Sequence, residues 1–78
     1  MIVLSAPQKE ALEQIEDLHL WMIGNLHETD QDCWFTQDQL SRVTLHTLRA
    51  LEGKGFIESK EYSEMHIIYY RWTGKELE

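Results

Sequence analysis

The chain has 78 residues, a mass of 9.3 kDa, 42% hydrophobic and 27% charged residues, and a net charge of −7. That is the composition of one small globular domain, and it argues against disorder and against a multi-domain architecture. The single cysteine, Cys33, excludes an internal disulfide and suits a reducing cytoplasm, and the opening Met1-Ile2-Val3-Leu4 is too short for a signal peptide or a membrane span.

A helix is predicted over residues 6–26. Ser5 precedes Pro7, which suits a first helical turn. Ala11, Leu12, Ile15, Leu18, Met22, Ile23 and Leu26 recur at helical spacing, and Glu10, Glu13, Glu16 and Asp17 take the polar side. Leu20 and Trp21 fall off the apolar stripe, where they either pack at the domain edge or meet a second subunit. Gly24 and Asn25 offer a stop signal. Residues 1–5 read as an N-terminal arm.

Residues 27–33 are a polar loop, and Trp34 with Phe35 has room only for a very short strand. Thr36 reads as an N-cap with Gln39 as its capping-box partner. Two readings follow. One is an unbroken helix over 37–53; the other is a short helix at 37–41, a turn at 41–43, and a second helix from Leu45 capped by Thr44, with Leu45, Leu48 and Leu51 buried. Gly53-Lys54-Gly55 supplies a helix end. Residues 56–60 read as a strand, 61–64 as a turn, and 65–73 as a second strand rich in β-branched and aromatic residues. Period two turns Ile68, Tyr70 and Trp72 inward and Ile67, Tyr69 and Arg71 outward.

This order, together with Thr47-Leu48-Arg49-Ala50-Leu51-Glu52-Gly53-Lys54-Gly55-Phe56-Ile57 and Tyr70-Arg71-Trp72-Thr73-Gly74-Lys75-Glu76, resembles the winged helix-turn-helix domain of bacterial and phage transcription regulators. Such regulators commonly carry a TLxxLExKGxI stretch where the recognition helix enters the wing, and YRLTxKG where the wing ends. Here Trp72 stands at the Leu position and Glu76 near the final Gly. The resemblance covers roughly residues 6–76. It implies an α+β fold of three helices plus a C-terminal β-hairpin wing over 6–78, with the second helix of the pair in the DNA major groove and the wing on the backbone. That favours two helices within 37–53. The stretch from Thr36 to Thr44 is several residues shorter than is usual, so the first helix of the pair is cramped or fused to the second.

The residues expected at DNA follow from this placement. His46, Ala50 and Gly53 lie opposite the leucines, flanked by Thr47, Arg49 and Lys54; Arg42 and Thr44 suit phosphates at the helix start, and Lys60 sits on the wing. For Arg42, Arg49 and Lys54 the competing reading is plain solvation or a weak surface ion pair. Glu61 and Glu64 in the wing turn repel phosphate.

The charge is lopsided. Residues 1–39 hold one base against eight acids, and residues 40–78 hold six of each. A DNA-binding transcriptional regulator is therefore one expectation, and an acidic winged-helix module that binds protein instead of DNA is the other. A fold of this size buries only about 60% of its chain surface and gains from a second subunit. Leu4, Leu20 and Trp21 are the expected contacts of a homodimer. No cofactor or metal is expected: His27 and Cys33 have no second pair at ligand spacing, and His19, on the apolar stripe, reads as a packed histidine. No phosphate loop, paired carboxylates or nucleophile elbow is present, so no catalytic role is expected.

Overall fold

The computed structural model describes residues 3–62 and 64–76. The chain is α+β. Helix α1 spans Ala6–Leu26, a 3₁₀ turn spans Gln37–Gln39, helix α2 spans Leu45–Gly53, and strands β1 (Ile57–Tyr62) and β2 (Ile67–Trp72) form an antiparallel hairpin.

Helix α1 starts at a reciprocal capping box. The Gln8 amide N–H donates to Ser5 Oγ, and the Ser5 N–H donates to Gln8 Oε1 at 3.1 Å. The helix runs past Gly24 and Asn25, and His27 ends it in the left-handed region at φ 55°. Ala11, Leu12, Ile15 and Met22 are buried along its inner face, while Leu26, expected on that face, is 51% exposed. His19 is buried on the same side; its ring stands edge-on to Trp72 at 5.1 Å, and Nε2 lies 3.0 Å from Asp30 in the following loop.

The expected helix at 37–41 is absent as such. Its place is taken by the three-residue 3₁₀ turn, so among the described residues there are two α-helices and not three. The unbroken alternative is also excluded, because Leu40 adopts an extended conformation and Arg42 a left-handed one at φ 60°. The reason is distance: within 36–44 the chain must bury Leu40 in the core and still reach the Thr44 cap. A further helical turn would use those residues up.

Helix α2 ends as the glycines foretold. Gly55 sits at φ 84°, its N–H donates to Glu52 O at 3.0 Å, and the Phe56 N–H donates to Leu51 O at 3.0 Å. This double closure is the Schellman arrangement, which joins the last turn to the next residue by an apolar contact; Phe56 and Leu51 are both fully buried. The hairpin then runs in register from Ile57↔Trp72 to Tyr62↔Ile67, reaching two residues beyond the expected end of the first strand. Phe35 adds a single bridge on the far edge of β2, exchanging two 2.8 Å bonds with Tyr70. Tyr70 is buried, while Ile68 and Trp72 are half-buried against the core.

Leu4 is part of this core, at 4% exposure. The segment carrying it is held by the Lys54 ammonium, which donates to Val3 O and to Gln8 Oε1, both at 2.9 Å. Leu4 therefore serves the chain's own interior, and the expectation that it faces a second subunit is corrected.

Candidate nucleic-acid interface

The segment before α2 is built by two glutamine side chains. Gln14 of α1 forms a reciprocal pair with the Ser41 backbone: its Nε2 donates to Ser41 O at 2.9 Å, and its Oε1 accepts the Ser41 N–H at 2.7 Å. Gln37 Nε2 donates to Val43 O at 2.9 Å and closes the turn from its other side. Arg42 lies between these clamps and is exposed. Thr44 then caps α2, its hydroxyl accepting the Thr47 N–H at 3.2 Å.

Arg42, Thr44, His46 and Arg49 are all exposed around the start of α2. His46 and Arg49 are three residues apart and share a face of the helix. The free amides of the first turn add partial positive charge beside Thr44. Acids are interspersed: Asp38 in the 3₁₀ turn and Glu52 on α2 are exposed, and Glu52 accepts the Ser59 hydroxyl. Burial pushes the Tyr70 hydroxyl up from its ordinary value, reinforced by Glu52 and opposed by Arg49.

Two expected contacts, Thr47 and Lys54, are drawn away from this surface, and Lys60 stands at its expected place on the hairpin. Thr47 is buried, and its hydroxyl meets that of Thr44 at 3.1 Å, so the side chain is engaged in supporting the cap. Lys54 is half-buried and spent on Val3 and Gln8. Lys60 is exposed on the hairpin, with its ammonium 4.1 Å from the Trp34 ring centre and 5.6 Å from that of Tyr62. Gln14, Gln37 and Trp34 were not anticipated as organisers of these surfaces. Nothing local to them in the sequence announces partners that lie on other elements.

Of the remaining candidates, Leu20 and Trp21 are 64% and 52% exposed on α1. Cys33 is buried and its thiol donates to Thr29 O at 3.1 Å. Burial pushes that thiol above its ordinary value, and Glu28, Asp30 and Asp32 add to the shift. The thiolate is the reactive form, so Cys33 should resist a disulfide reagent such as Ellman's in the native state and react at least about tenfold faster in urea. Equal rates in both conditions would contradict this burial. Among the described residues no three His, Cys, Asp or Glu side chains gather as a metal site, and no helix is long and apolar enough to cross a membrane.

No protein family matches the chain, and neither the curated proteins nor the solved structures compared with it give a match.

Proposed function

We propose that the chain is a winged-helix DNA-binding protein of the bacterial or phage cytoplasm that regulates transcription. The observation that supports this best is the junction before α2: a clamped turn presenting Arg42, Thr44, His46 and Arg49 at the Thr44-capped helix N-terminus, followed by a helix that passes through a glycine end into an antiparallel hairpin. In this reading the 3₁₀ turn replaces the first helix of the pair, α2 enters the major groove, and the hairpin is the wing. Arg42 and Thr44 contact phosphate, while His46 and Arg49 face base edges and the flanking backbone.

The test is fluorescence anisotropy against a random-sequence duplex at about 50 and about 200 mM salt, because phosphate contacts release counterions. Arg49→Ala should weaken binding and lower the salt slope by about one. Wild-type protein without salt-dependent binding overturns the reading.

A second reading has its own support. The net charge of −7 and the exposed Glu61 and Glu64 of the hairpin disfavour a phosphate backbone and suit an interaction module for a protein partner. In either reading the exposed Leu20 and Trp21 are the proposed homodimer contact. Burying such side chains contributes about 1.5–3 kcal/mol each. Sedimentation at micromolar concentration should show a dimer for wild type and a monomer for Trp21→Glu. A wild-type monomer refutes the dimer, and an unchanged mutant dimer refutes this contact.

A further inference from the structure

The hairpin has an outer face with chemistry of its own. Glu58, Lys60 and Tyr62 on β1 oppose Arg71, Tyr69 and Ile67 on β2, so by period two all six side chains share the side away from Tyr70. Trp34, one residue before the Phe35 bridge, lies on this side: Lys60 Nζ is 4.1 Å and the Arg71 guanidinium 4.7 Å from its ring centre. Tyr62 and Tyr69 meet edge to face at 5.4 Å. Trp34, Lys60, Tyr62, Met65 and Tyr69 line an open hollow of about 310 Å³. Tyr62 is 54% and Met65 68% exposed, so costly apolar surface is left in water here.

The charges of this face are unequal in availability. Glu58 is taken by Arg71, and Arg71 also donates to Gln31 O. Among the described residues no carboxylate lies within ion-pairing distance of Lys60; its ammonium is held by two rings instead. Glu61 belongs by alternation to the opposite face of the hairpin. The hollow thus combines exposed π surface with one fixed, unneutralised cation, in a chain that is otherwise strongly acidic.

We propose that this hollow is a stacking site for an unpaired base of single-stranded DNA, with Lys60 on the adjoining phosphate. The proposal rests on the nucleic-acid reading above for its class of ligand and adds a second site to it. The argument for this occupant is complementarity. A nucleotide supplies a flat π face and a negative charge a few ångströms apart, which is the pairing that Tyr62, Tyr69 and Lys60 present. Stacking on aromatic side chains tolerates any base, so the site adds affinity without adding sequence preference.

The experiment uses fluorescein-labelled oligo(dT), the same oligomer with abasic sugars throughout, and a blunt random duplex, each titrated by anisotropy against wild type, Tyr62→Ala and Lys60→Gln. Wild type should bind oligo(dT) about tenfold more tightly than the abasic strand. Tyr62→Ala should remove that preference while leaving blunt-duplex binding unchanged, and Lys60→Gln should weaken both single strands alike. Circular dichroism checks that both variants remain folded. Equal binding of oligo(dT) and the abasic strand, no oligo(dT) binding, or an unchanged preference in Tyr62→Ala overturns the proposal. So does loss of duplex binding in a folded Tyr62→Ala, which would mean the ring serves a protein-wide surface. Duplex binding without oligo(dT) binding sinks this inference alone; oligo(dT) binding without duplex binding sinks the α2 reading and leaves the stacking site standing. Tyr62→Ala that instead abolishes self-association in sedimentation assigns the hollow to a protein contact.

Discussion

Phe56→Ala should cost about 3–5 kcal/mol, the range for truncating a buried aromatic ring. Phe56 has no exposed surface. It also closes the end of α2 through its N–H to Leu51 O, and its carbonyl accepts the N–H of Thr73, the residue that follows β2, at 3.0 Å. The ring is thus placed where helix and sheet are joined, and a cavity there loosens both. A small domain has a total stability of only about 5 kcal/mol or little more. A thermal melt by circular dichroism should therefore show a midpoint lowered by about 15 °C or more, or no folded baseline at all. A loss of less than about 1 kcal/mol would mean that the ring is not central to the fold.

Leu4→Ala should cost about 2–4 kcal/mol, although the residue lies only three positions after Met1. Chain ends usually fray, but here Leu4 is buried and the preceding carbonyl is held by Lys54. Urea unfolding of wild type and mutant at two protein concentrations distinguishes the two roles considered for it. A core residue lowers stability equally at both. A subunit contact lowers it only where the dimer forms, because association stabilises by mass action, and that outcome would restore the expectation the structure corrects.

The legible parts of this fold are those governed by neighbours in sequence. The apolar spacing from Ala11 to Met22, the Thr44 cap, the glycine at 55 and the aromatic run of β2 each state a local preference that the structure follows. The parts not legible depend on partners far along the chain. Gln14 reads as one polar residue on a helix, yet it organises Ser41, 27 positions away. Lys54 reads as a cation near a DNA-facing helix, yet it is drawn 51 positions back to Val3. Thr47 shares the type and spacing of a base-contacting residue, and only the inward position of its hydroxyl against Thr44 removes it from the surface. The shortness of 36–44 was visible, but which of two compressed solutions it takes depends on whether Leu40 is buried, and that depends on α1.

The turn that presents Arg42 is held by amide side chains and not by ion pairs. Neutral hydrogen bonds are scarcely weakened by dissolved ions, whereas attraction between exposed charges fades as the Debye length shrinks from about 10 Å at 0.1 M toward about 3 Å at 1 M. If the proposed nucleic-acid reading holds, concentrated brine should therefore release a polyanion from this surface while leaving the surface itself in shape. Elution from a heparin column and the backbone spectrum of the eluted protein would then be independent readings, the first set by ionic strength and the second indifferent to it.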